Sequence, residues 1–295
     1  MGPLDAPNDQ LTALEDGRAF ADLSAWRKVR VTGRDARAWL NDLVTCDVAT
    51  LTSGISRRSL LLTATGRIRA DLHVAADDEG FLLLQAADQP EHVGLILGPY
   101  VLSSDVSLHD STAELTLVAV PGAAAELVAR PALSPSVLGP GIDLVSPVGR
   151  TSWRLEDGLV KHDLVEVGEA ALEVRRIRAG IPRMGPDFGQ DALPAEVGLT
   201  WTIDMAKGCF LGQESVARVR NLGHPPRVLR HVRAAGAVAA DAEVVAEGRN
   251  VGEITSAAVS HGGGTIAIAR VRWEAEGSPL ATADGLELAP VGSMD

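Results

Sequence analysis

The stretch Lys207-Gly208-Cys209-Phe210-Leu211-Gly212-Gln213-Glu214 brings together two of the rarest reactive residue types of this chain. Lysine occurs only at Lys28, Lys161 and Lys207, and cysteine only at Cys46 and Cys209, yet Lys207 and Cys209 stand two residues apart. A nearby cation favours a thiolate over a thiol, and a helix N-terminus does the same. The spacing therefore predicts a reactive sulfur at the entry of a helix that starts near Gln213. Gly212 permits a tight backbone approach there, and Glu214 in the first turn suits the helix dipole. The same residues also fit a helix-entry turn around a buried, inert cysteine, and spacing alone does not separate the two.

Charge is unevenly placed around this stretch. From Lys207 to Arg233 the chain carries Lys207, Arg218, Arg220, Arg227, Arg230 and Arg233 against one acid, Glu214. A second basic knot, Arg175, Arg176, Arg178 and Arg183, lies just upstream. Two such segments in a protein of net charge −12 point to an anion site, with solvated helix faces as the competing reading. The overall negative charge itself argues against non-specific nucleic-acid binding, because phosphates would be repelled.

Other chemistries lack their residues. There is no G-x-G-x-x-G, no phosphate-binding G-x-x-x-x-G-K-[ST], no H-E-x-x-H and no G-x-S-x-G. No C-x-x-C occurs, and two cysteines cannot supply four thiolates, so neither a thiolate zinc site nor a resident iron–sulfur cluster is expected. No metal site is assigned.

The elements that must position these residues follow from periodicity and turn signals. Asp35–Leu43 reads as a helix with Ala36, Trp39, Leu40 and Leu43 on one face. Ser59–Ala64 and Arg67–Ala75 read as strands joined at Thr65-Gly66, and Phe81–Ala86 continues the sheet. A helix is expected from Pro90 towards Leu97, strands at Val106–His109 and Leu115–Val120, and a helix over Ala123–Ala129. Glu169–Ala179 is predicted helical and ends at Gly180. Ile181–Pro194 is predicted irregular and Gln213–Val219 a short helix. Val251–Val259 and Thr265–Trp273 flank Gly262-Gly263-Gly264, a hairpin signal.

These elements predict an α+β part over 1–225 and a small all-β domain over 226–295, divided near Pro225-Pro226. The length of 295 residues and the hydrophobic fraction of 46% suit an ordinary globular protein with more than one core. No apolar run reaches the roughly 20 residues of a membrane-spanning helix. The polar start from Met1 to Glu15 does not read as a signal peptide, and a reducing cytoplasm is the expected location.

The octapeptide at Lys207–Glu214 resembles the signature of the YgfZ family, relatives of the T-protein (aminomethyltransferase) of the glycine cleavage system. Arg176-Ile177-Arg178-Ala179-Gly180-Ile181-Pro182, Leu193-Pro194-Ala195-Glu196 and Arg227-Val228-Leu229 resemble the family's neighbouring blocks. Gly66-Arg67-Ile68 with Asp71-Leu72, and Val251-Gly252-Glu253-Ile254-Thr255-Ser256, extend the likeness over most of the chain. The resemblance implies an aminomethyltransferase-like folate-binding domain with a small C-terminal β-barrel and tetrahydrofolate as cofactor. It further implies a role in assembly, maintenance or repair of iron–sulfur cluster enzymes, with those clients or assembly proteins as partners.

Residue by residue, the resemblance makes Cys209 the working thiol with Lys207 beside it. Glu196 matches the carboxylate that accepts the pterin N–H and NH2 together, with a helix-cap acid as the alternative. Asp71 matches a folate-facing aspartate, although its strand position fits a solvent-facing acid equally well. Arg227 and Arg176 match positions able to meet the anionic glutamate tail, possibly polyglutamylated, and salt bridges within the fold compete for both. The chain departs from the transferases in carrying Ala70-Asp71 where they have two acids, Met184 where they have a tyrosine, and Tyr100 as its one tyrosine. A folate-dependent one-carbon (aminomethyl) transferase or demethylase is the alternative reading, and whether the protein is an enzyme stays open on the sequence.

Overall fold

The computed structural model describes residues 2–102, 104–122, 132–149 and 164–291. The chain divides into two compact units. One comprises Asn8–Gly168 with Trp201–Gln213, and the other Met1–Pro7, Glu169–Thr200 and Glu214–Asp295. The barrel strands begin at Arg227, next to the expected division at Pro225-Pro226, and the unit that holds them also takes in Glu169–Thr200. The helix expected over Ala123–Ala129 lies outside the described residues. No helix among the described residues is long and apolar enough to cross a membrane.

The first unit opens with α1 (Asn8–Glu15), β1 (Ala19–Asp22), β2 (Arg27–Thr32) and α2 (Ala36–Leu43). Then come β3 (Ser56–Leu62), β4 (Ile68–Asp77), β5 (Gly80–Gln85), α3 (Val93–Leu97), β6 (Ser107–Asp110), β7 (Leu115–Pro121), β8 (Gly141–Pro147) and β9 (Val165–Glu166). A five-stranded antiparallel sheet has the order β3-β4-β5-β2-β6. One of its faces carries Leu61, Ala70, Leu72, Val74, Phe81, Leu83, Val29 and Val31. They form one core with Trp39, Leu40 and Leu43 of α2 and with Val93, Ile96 and Leu97 of α3. Each fully buried Val, Leu, Ile or Phe side chain among them contributes about 1.5–3 kcal/mol. Because side chains alternate along a strand, this core commits Arg58, Leu60, Asp71, His73 and Leu84 to the opposite face. A second sheet has the order β8-β7-β1-β9.

The second unit contains α4 (Glu169–Arg178), α5 (Gln213–Leu222, all but its first residue) and a closed six-stranded barrel. Its strands are β10 (Arg227–Ala234), β11 (Glu243–Ala246), β12 (Arg249–Val259), β13 (Thr265–Arg272), β14 (Leu280–Thr282) and β15 (Glu287–Pro290), in the order β10-β13-β12-β11-β14-β15. Small inward residues such as Val228, Val232, Val244, Ala267, Ala269 and Val271 fill it. α4 stops at Gly180, whose φ of +67° suits the left-handed cap and where a Cβ would come within 2.8 Å of His231 Nδ1. His231 Nε2 donates to the Ile177 carbonyl at 2.9 Å and ties the end of α4 to the barrel wall. The α+β fold with a C-terminal barrel is thus the observed architecture.

Candidate functional site

The Lys207–Gly212 turn is built on the last turn of α2. A helix end leaves carbonyls without partners. Lys207 Nζ donates to the carbonyls of Asn41 and Val44 at 2.5 Å each and of Cys46 at 2.8 Å. An ammonium has three donors, so all are spent, and the cation also complements the negative end of the helix dipole. Phe210 is buried, with its ring 5.2 Å from Nζ. Asp204 Oδ1 accepts from the N–H groups of Ala206 and Lys207, and Leu211 N–H donates to the Asp42 carbonyl at 2.9 Å. Gly212 has φ +85°, and a Cβ there would lie 2.5 Å from the Thr63 carbonyl oxygen. Glycine is required at that contact.

This bracing leaves Cys209 exposed. The spacing paired Lys207 with Cys209; the structure turns the ammonium towards the Cys46 segment instead. Cys46 is buried, and burial pushes its thiol pKa up against smaller downward pulls from Ser59, Lys207 and Arg57. Burial likewise lowers the Lys207 pKa, with Cys46, Asp47, Asp42 and Asp204 pulling the other way.

A second cluster sits on the face of the β3–β4 hairpin away from the core. Asp71 is 8% exposed and accepts from Arg58 Nε at 3.0 Å and Nη2 at 2.6 Å. The pairing is bidentate, the geometry that holds a carboxylate plane most firmly. Gln89 clamps the Asp71 backbone, accepting from its N–H at 3.1 Å and donating to its carbonyl at 2.6 Å. The register sets Arg58 opposite His73. His73 is 8% exposed, and its Nδ1 is enclosed without a hydrogen-bond partner among the described residues. Burial first, then the Arg58 charge, pushes its pKa down to about 3 against a smaller upward pull from Asp71. Arg58 also lies 6.0 Å over the ring of Trp201, which is 68% exposed. Arg58 and Trp201 were not singled out from the sequence. The hairpin register was the signal for Arg58, and nothing in the local pattern marks Trp201.

In the second unit Glu196 is half-buried. Its Oε2 accepts from Leu193 N–H at 2.6 Å, and its own N–H donates to the Leu193 carbonyl at 2.9 Å. Its carbonyl accepts from Leu229 N–H at 2.9 Å, which anchors the turn to β10. A carboxylate offers about four lone-pair sites, and among the described residues one is used. Arg227, the first residue of β10, is exposed. Arg176 is buried, and its guanidinium is consumed inside the fold. Nε and Nη2 donate to Glu173, Nη1 to Asp187 at 2.6 Å and the Ile181 carbonyl at 3.0 Å, and Nη2 also to Ser256 at 2.8 Å. All five donors of the group are engaged, so salt bridging within the fold is the reading the structure favours for Arg176. Its partner Asp187 is fully buried and also accepts from Thr255, Ser256 and Arg183 N–H.

Comparison with known proteins places this architecture. Residues 5–137 match the family described as the GCVT N-terminal domain. An aminomethyltransferase of Streptomyces avermitilis is 26% identical over 287 residues, covering 85% of this chain and 77% of that protein. An aminomethyltransferase of Herpetosiphon aurantiacus is 24% identical over 246 residues, or 74% of this chain and 67% of that one. A chloroplastic protein of Arabidopsis thaliana, provisionally named a transferase, is 24% identical over 281 residues; the match spans 85% of this chain and 64% of that relative's length. The crystal structure of the glycine cleavage system aminomethyltransferase T from Bartonella henselae superposes with a TM-score of 0.80 at 23% identity. It covers 99% of this chain and 91% of that one. The fold is that of the aminomethyltransferases.

Proposed function

We propose that this chain, whose residues 5–137 carry the GCVT N-terminal domain, is a tetrahydrofolate-binding protein of the YgfZ type. In this reading it works in the cytoplasm on the assembly, maintenance or repair of iron–sulfur enzymes. The observation that supports it is the exposed Cys209 on a turn braced by Lys207 and Gly212. A braced turn that presents a thiol to solvent serves exchange or ligation with a partner better than it serves packing. Residues 1–225 form the folate-binding part of this reading, and 226–295 the barrel.

The residues present fit a bound folate. Glu196 keeps unused lone pairs on a carboxylate anchored by Leu193, as a pterin N–H and NH2 pair requires. Arg227, exposed at the head of β10, suits the anionic glutamate tail. In the first unit, taken by itself, Arg58 orients the Asp71 carboxylate. When bound, the folate supplies a carrier for one-carbon units. Lys207 acts in this reading as a positioning residue for the Cys209 turn.

The test is complementation of a deletion strain, read as the activity of an iron–sulfur client enzyme. Cys209→Ser should abolish support while tetrahydrofolate binding persists. Full support by that variant would remove the thiol role.

A second reading, a folate-dependent one-carbon transferase or demethylase, is favoured by relatives named aminomethyltransferase and by the buried Asp71–Arg58 pair. Turnover with tetrahydrofolate and aminomethyl or N-methyl donors decides it. Absence of a folate-linked product from every donor would exclude it.

A further inference from the structure

We infer that His73 is a ligand-positioning residue whose Nε2–H donates a hydrogen bond to an acceptor oxygen of the molecule bound beside the Arg58–Asp71 pair. The inference rests on the folate reading above and assigns a role to a residue that reading leaves unused. β4 puts His73 on the same face as Asp71, two residues away, and the β3 register sets Arg58 directly opposite. The Asp71 carboxylate has both oxygens engaged by Arg58. Neither group of that pair is bonded to the imidazole.

The tautomer follows from the enclosure. Among the described residues Nδ1 is buried with no partner, whereas Nε2 is not enclosed in this way. A proton on Nδ1 would leave an orphaned N–H in the interior, which native structures tolerate less well than an under-used acceptor. The proton therefore belongs on Nε2, and the ring offers a donor there. Burial and the Arg58 charge keep the ring neutral, with a pKa of about 3. A base that weak gives little general-base catalysis near neutral pH, which leaves hydrogen bonding as its chemistry. The charged groups facing it are Arg58 on β3 and Asp71 on β4, and Leu84 faces it from β5.

The partner is thus a carbonyl or carboxylate oxygen. Such an oxygen occurs on the pterin ring and on an amino-acid one-carbon donor, and the two sources are separable. Tetrahydrofolate alone and tetrahydrofolate with N-methylglycine are titrated anaerobically into the wild type, His73→Gln, which keeps an N–H donor, and His73→Phe, which does not. His73→Phe should bind about tenfold more weakly, the worth of one well-made hydrogen bond, while His73→Gln stays within about threefold. Thermal midpoints of the free variants control for folding. Loss seen with tetrahydrofolate alone assigns the oxygen to the folate; loss seen only in the presence of N-methylglycine assigns it to the donor.

Nitrogen-15 NMR of labelled histidine should show the neutral Nε2–H form in the free protein and a shift of that proton on ligand addition. Unchanged binding by His73→Phe, or a proton found on Nδ1, overturns the inference and leaves the folate reading standing. A wild type that binds neither probe overturns both.

Discussion

Lys207 Nζ donates to the Cys46 carbonyl oxygen at 2.8 Å, and this contact joins segments 161 residues apart into one structural knot. With the Asn41 and Val44 carbonyls it makes a three-oxygen socket that the ammonium fills completely. Removing the cation leaves three carbonyls partly desolvated and unpaired. Lys207→Met is expected to cost about 2–4 kcal/mol of stability, read from urea unfolding. Lys207→Arg should recover little of it, because a planar fork does not match three converging oxygens. An unchanged midpoint in Lys207→Met would show that the socket is held by other contacts.

The two thiols should separate cleanly in a native titration. Cys209 is exposed, whereas Cys46 is buried with its pKa raised by burial. A disulfide reagent at pH 8 is expected to consume one equivalent quickly and the second only after denaturation. Cys209→Ser should delete the fast equivalent, and Cys46→Ser should leave it intact. Two fast equivalents in the native protein would place Cys46 within reach of solvent.

Arg176 holds the end of α4 against Asp187 and Ser256. Substituting Arg176→Met strands the fully buried Asp187 carboxylate without its cation. Breaking one side of a buried pair costs about 3–5 kcal/mol, measurable by chemical denaturation. A variant of wild-type stability that had lost folate affinity would instead restore Arg176 as a tail-binding residue.

Much of this was legible in the sequence where one signal dominated. The Thr65-Gly66 turn and the alternation through Asp71, Leu72 and His73 gave the β3–β4 hairpin, and the apolar stripe Ala36, Trp39, Leu40, Leu43 gave α2. α3 starts at Val93, three residues after the expected Pro90, because the His92 side chain accepts from Gly94 N–H and caps it there. β1 has four residues and β9 two, too few to show a period, and β8 runs from a glycine to a proline and so reads as a loop. At the site, the rarity of lysine and cysteine marked Lys207 and Cys209. The ammonium's partners were hidden, because backbone carbonyls carry no residue signature. Asp187 was hidden for a related reason: the Gly- and Pro-rich segment around it has no periodicity that would place it against Arg176.

Two buried groups should make stability depend on pH in opposite senses. Asp143 is fully buried beside Ser136 and Val137, and burial raises its pKa to about 7. Between roughly pH 4 and 7 the folded state therefore binds the extra proton, and this group's contribution is lost as pH rises through 7. His73, lowered to about 3, works the other way. Between roughly pH 3 and 6.5 the unfolded state binds the extra proton, so its contribution is lost as pH falls. Each slope is about 1.4 kcal/mol per pH unit inside its window, and between about pH 4.5 and 6 the two oppose one another. Asp143→Asn should therefore steepen the rise of stability with pH relative to the wild type, and His73→Gln should tilt it towards a fall. Urea midpoints at pH 4.5, 5.25 and 6 read both. Parallel profiles for the wild type and both variants would mean that neither group titrates abnormally in the folded protein.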